Sequence, residues 1–177
     1  MSMHADARHL ISKLDMVPIP LEGGWYRQTW RSQTVLPARS LPGYQADKPA
    51  GTAILALFCD GPDGFSALHR LPTTEVWHFC GGDPFVLLLL HPDQSSEEIV
   101  LGPDLAGADE VQVAVAPGTW MGGAVAPGGR FSLLGCTMAP GFTDDDFQAG
   151  ERAELMAAYP ERAERIRTLT RSRSRRR

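Results

Sequence analysis

A histidine and a carboxylate on neighbouring apolar segments can move a proton. This chain carries such a pair in the run Gly64-Phe-Ser-Ala-Leu-His69-Arg-Leu-Pro-Thr-Thr-Glu75-Val-Trp-His-Phe-Cys-Gly-Gly82. A histidine changes charge near neutral pH and serves as a general base, and a carboxylate beside it orients or tunes the ring. Glu75 follows Pro72-Thr73-Thr74 and opens an apolar stretch. Burying it alone is costly, so His69 or Arg27 is expected to pair with it, either as a structural ion pair or as working acid/base chemistry. Tyr26, in the run Glu22-Gly23-Gly24-Trp25-Tyr26-Arg27, supplies a second proton carrier, although an aromatic residue in a strand also serves simply as core.

Strand alternation puts Glu75, Trp77 and Phe79 on one face, and Val76, His78 and Cys80 on the other. Small-molecule sites are lined by aromatic walls with a few polar groups. Trp77, Phe79, Trp120, Met121 and Arg27 are therefore the expected substrate contacts, with ordinary barrel filling as the alternative for the aromatic residues. His78 reads as structural or interfacial. Cys136, with no histidine beside it in sequence, reads as a small buried apolar residue. Asp144, Asp145 and Asp146 are explained by capping and the helix dipole rather than by a cation. No glycine-rich loop has the spacing of a nucleotide phosphate cradle, so an ATP or nicotinamide enzyme is not indicated.

The elements that must position these residues are mostly short strands. Nine candidates are separated by turn signals such as Asp60-Gly61-Pro62-Asp63-Gly64 and Pro127-Gly128-Gly129: 25–30, 52–59, 66–70, 74–80, 85–91, 97–101, 111–115, 120–125 and 131–139. No helix-length segment interrupts them, which excludes βαβ construction and leaves an antiparallel sandwich or barrel. Helical patterning is confined to 5–14, where Leu10, Ile11 and Leu14 share a stripe, and to 144–158 and 161–169, divided by Pro160.

The chain has 177 residues, 43% of them hydrophobic and 21% charged, the profile of one globular domain. The expected domain runs from 5 to 169, with a disordered basic tail at 170–177. The formal charge is -4, but residues 1–170 hold 12 basic against 21 acidic side chains, a balance of -9. An acidic body is poorly suited to phosphate contacts, so a nucleic-acid partner is not expected. The longest strongly apolar run, Phe85–Leu90, is far short of the roughly 20 residues that cross a bilayer. Neither a signal segment nor a membrane partner is expected. Three widely spaced cysteines, Cys59, Cys80 and Cys136, fit a reducing cytoplasm rather than a disulfide framework.

The His69 segment resembles the first motif of the cupin superfamily: a glycine, a His-x-His pair, a glutamate four residues on and a glycine seven further. His69, Glu75 and Gly82 match; Gly64 sits one residue too near, and Leu71 stands at the second histidine. The second motif is echoed by Ala116-Pro117-Gly118-Thr119-Trp120-Met121, with Met121 at the histidine position. The runs Pro20–Arg27, Leu68-His69-Arg70, Glu75–His78, Leu101-Gly102, Gly118–Trp120 and Cys136–Phe142 resemble, in order, a branch of cupins without an assigned function. That resemblance implies an all-β jelly-roll barrel with short terminal helices, and a homodimer. Its functional analogues by shape are epimerases of nucleotide-linked 4-keto sugars, which use a histidine base and a tyrosine acid.

The expectation is a cytoplasmic small-molecule-binding cupin working as a metal-independent isomerase or epimerase on a small carbonyl or sugar-nucleotide-like compound. His69 would act as base, Glu75 as its tuner and Tyr26 as acid. A non-catalytic binding cupin is one alternative. The other is a metal enzyme using His69, Glu75 and a third ligand such as His78 or Gln28, although two protein donors would hold a divalent ion only weakly.

Overall fold

The structure is a computed structural model describing residues 3–171. In chain order the strands are β1 (Val17–Pro18), β2 (Trp25–Arg31), β3 (Val35–Leu36), β4 (Lys48–Pro49), β5 (Thr52–Cys59), β6 (Ser66–Arg70), β7 (Glu75–Gly82), β8 (Phe85–Leu90), β9 (Ser96–Leu101), β10 (Gln112–Val115), β11 (Trp120–Val125), β12 (Phe131–Met138) and β13 (Gln148–Ala149). The helices are α1 (Ala5–Lys13), α2 (Arg152–Ala158) and α3 (Ala163–Thr168).

Two antiparallel sheets face one another, one ordered β1-β2-β5-β12-β7-β10 and the other β13-β6-β11-β8-β9. Their facing sides enclose a core that includes Phe58, Trp77, Phe85, Leu87, Leu89, Met121 and Leu134. This is the expected jelly roll, with all nine predicted strands present.

The outer faces explain the helices. Leu68, Leu88 and Leu90 point away from the sandwich and pack under Leu155, Tyr159, Ile166 and Leu169 from the α2 and α3 region. β8 is thus buried on both faces, which is why Phe85–Leu90 is continuously apolar rather than alternating. On the opposite side Ala7 of α1, with Met16, covers Leu57 and Cys59 of β5.

The expected helix over 144–158 is shorter than its pattern suggested. Residues Asp144–Asp146 form one tight turn in a reciprocal capping box with Thr143. The chain then pairs as β13 with β6, matching Ala149 to His69. Gly150 donates to the Leu68 carbonyl at 2.7 Å, and a Cβ there would lie 2.6 Å from Leu155 Cδ1, so helix begins only at Arg152. The expected tail boundary also moves. Thr170 is buried and bonded to Arg152, and Arg171 donates to the Glu22 carbonyl and to Asp63. The rest of the predicted tail lies outside the described residues.

Candidate active site

The barrel interior has two ends. At one, Trp77 stacks with Phe58 and Phe85 at centroid distances of 6.2 and 5.8 Å and fills the space. At the other lies a cavity of about 560 Å³, walled by β2, β5, β6, β7 and β12 and rimmed by the loops at 19–22 and 142–147. His69, Glu75 and Tyr26 all line it.

His69 sits mid-sheet, opposite Ala149 on β13 and Met121 on β11. Its Nδ1 lies 2.8 Å from the Ala67 carbonyl. A carbonyl only accepts, so Nδ1 carries a hydrogen, and in the neutral ring the lone pair is on Nε2. Phe147 stacks on the ring at 5.1 Å and fixes its plane.

Glu75 begins β7 and is 7% exposed. Trp77 Nε1 donates to its Oε2 at 2.9 Å, and the Cys136 thiol donates to the same carboxyl. Among the described residues no cationic side chain forms an ion pair with it. Burial therefore dominates and raises its pKa to about 7; His69 opposes the rise, nearby Glu22 adds to it, and the Trp77 and Cys136 bonds pull it back. The Cys136 thiol is itself pushed well up by burial and by Glu75, so it stays a protonated donor.

Glu22 enters from the loop before β2. Its Oε1 accepts from Ser66 Oγ at 2.7 Å, and its carbonyl accepts from Ala67 N and Arg171. Gly23 allows this approach, since φ is +105° and a Cβ would lie 2.7 Å from the Phe65 carbonyl.

A bulge in β2 sets the remaining wall. Gln28 pairs with Ile54 and Trp30 with Ala53, leaving Thr29 as an extra residue. Tyr26 and Gln28 face the cavity; without the bulge Trp30 would follow. Instead Trp30 turns outward, 53% exposed, and Arg31 joins the cavity wall.

The expected substrate contacts fall elsewhere. Trp77, 1% exposed, has the predicted facing but lies at the filled end of the barrel. Phe79, farther along the same face, packs on that core, and Met121 is part of it. Trp120 points to the outer side of its sheet, beneath Arg70 at 4.5 Å. Arg27 faces outward and donates to the Leu14 carbonyl, so it does not pair with Glu75. His78 is on the outer side of β7, bonded to Thr137 and Gln112. Sequence reasoning gave Glu22, Arg31 and Phe147 no site role of their own. Glu22 stood in a quoted motif, whereas nothing local marks the bulge or the Phe147 stack.

A family model described as "Cupin superfamily (DUF985)" matches residues 8–150. The chain belongs to the cupin superfamily. A solved Shewanella oneidensis protein shares 32% identity with this cupin over 97% of this chain and 99% of its own, with TM-score 0.80. A hypothetical protein from Leishmania major shares 29% identity over 94% and 99%, with TM-score 0.82. Bacillus subtilis oxalate decarboxylase, at 13% identity over 88% of this chain and 37% of its own with TM-score 0.52, is similar in fold alone. No curated protein matches.

A transition ion in a cupin of the motif type is held by three histidines and a carboxylate. In this cupin two of those positions hold Leu71 and Met121, 4% and 1% exposed. Among the described residues no group of three His, Cys, Asp or Glu side chains is placed to hold a metal ion. The donor set does not fit such a centre.

Proposed function

We propose that this cupin is an acid/base enzyme of the isomerase or epimerase kind, acting on a small carbonyl compound in the barrel cavity. The observation that carries the reading is that a histidine whose Nδ1 is tied to a backbone carbonyl and a buried carboxyl with no ion-pair partner among the described residues open on the same cavity. Shifted carboxyls in clefts are favoured sites of proton transfer.

His69 Nε2 takes a proton from the carbon beside the carbonyl, and the electron pair moves onto the carbonyl oxygen. Protonated Glu75 donates a hydrogen bond to that oxygen and stabilises it. Tyr26 returns a proton to the carbon from the β2 wall, and solvent restores both groups. Trp77 and Cys136 hold Glu75 in place; Trp77 lies off the cavity wall, whereas Cys136 is part of it.

The test is deuterium exchange beside the carbonyl, followed by NMR in D2O, with dihydroxyacetone phosphate and 4-oxopentanoate as first probes and 4-keto nucleotide sugars after them. Exchange should fall by roughly 10²- to 10⁴-fold in His69→Ala and in Glu75→Gln. Unchanged exchange in both variants defeats the proposal. Saturable binding with no exchange in native protein would instead support a binding cupin.

A further inference from the structure

Among the described residues Arg31 is the one basic side chain other than His69 on the cavity wall. An arginine on a strand normally turns its guanidinium to water or to a carboxylate. Arg31 is exposed to solvent too, but it joins the cavity wall because Thr29 is squeezed out of register, which also turns a tryptophan to solvent. Its Nη1 donates to the Phe142 carbonyl at 3.3 Å, and it has no ion-pair partner among the described residues. Most of its five N–H donors are uncommitted.

The other charged groups around the cavity are disposed differently. Glu22 is engaged by Ser66, and Glu75 by Trp77 and Cys136. Asp144 shares the rim with Arg31 without pairing to it; both are exposed to solvent, where screening weakens repulsion and attraction of an anion alike, so the grip of Arg31 comes from its directed N–H donors. Tyr26 and Gln28, from the same strand, put a hydroxyl and an amide on the wall that also carries Arg31. One strand thus lines the cavity with donors, while β6 and β7 supply the acid/base pair.

We propose that Arg31 anchors an anionic group of the substrate, a carboxylate or a phosphate, and that the substrate is an anionic carbonyl compound. This rests on the acid/base reading of the same cavity, since it assigns the carbonyl end to His69 and Glu75. A guanidinium fork grips either oxyanion through two parallel N–H bonds, stronger than neutral ones.

The experiment compares matched probes by calorimetric titration: 4-oxopentanoate against 2-pentanone, and dihydroxyacetone phosphate against dihydroxyacetone. Native protein should bind at least one charged member tenfold or more tighter than its neutral partner, and the pair that discriminates names carboxylate or phosphate. Arg31→Gln should erase the difference, Arg31→Lys should keep part of it, and Arg167→Gln on the far helix should leave it whole. Unchanged melting temperatures would show that Arg31→Gln is folded. Equal binding of charged and neutral members, a preference that survives in Arg31→Gln, or no saturable binding of any probe overturns the proposal. Failure of the parent reading would look different: the charge preference would stand, while deuterium exchange would be absent or indifferent to His69→Ala.

Discussion

Glu75 ties the chemistry to stability. Its folded pKa of about 7 lies above its ordinary value of 4.5, so the native state holds a proton that the unfolded chain has released across that window. The sign follows from linkage: stability is greatest below about pH 4.5 and declines as pH rises toward 7, by up to about 3 kcal/mol from this group. Urea titrations should show a flatter pH dependence between those limits in Glu75→Gln than in native protein; matching slopes would contradict the assignment. Trp77→Phe removes the bond that lowers the Glu75 pKa and should move its titration to higher pH, read from the same curves. At this scale the sequence was informative where side-chain chemistry is local. His69, Glu75 and Tyr26 line one cavity. Trp77 and Phe79 show the limit: alternation gives the face of a strand, but not which end of the barrel is open.

Strands were legible because alternation and turn residues are local signals, and all nine appear within two residues of their expected ends. The 142–149 connection was not, because three consecutive acids before an apolar pattern read equally as a helix start. What decides is distant: Lys48, on β4, donates to Asp146 Oδ1 at 2.6 Å and to Thr143 Oγ1, and both members of the ion pair are buried. Lys48→Ala would leave Asp146 buried and alone, with an expected loss of about 3–5 kcal/mol in chemical denaturation. Lys48→Met paired with Asp146→Leu should recover much of it. The bulge in β2 is equally hidden from pattern reading, since an extra residue in one strand is defined by its partner. Deleting Thr29 would leave Gln28, Trp30 and Arg31 opposite Ile54, Ala53 and Thr52 in a regular ladder, so Trp30 should stay outward, Arg31 should stay on the cavity wall and the charge preference should survive, whereas a register slip of one residue would abolish it.

For the whole molecule, the six-stranded sheet presents outward a surface that α1 covers only in part, with Trp30 and the short strand β1 at its margin. Such faces and edges are commonly closed by a second copy. The protein is expected to be a homodimer, and light scattering should return twice 19.3 kDa; a species of 19.3 kDa would refute it. Among the described residues no helix is long and apolar enough to cross a membrane. The strand order carries a consequence for synthesis. β6, which bears His69, is flanked by β11 and β13, and both emerge after it. Arg70 and its side-chain partner Gln148 are 78 positions apart. At roughly 5–20 residues per second, a ribosome needs about 4–16 s to pass from one to the other. During that interval the strand bearing His69 has at least one open edge, so a nascent barrel exposes it to chaperones and to neighbouring chains.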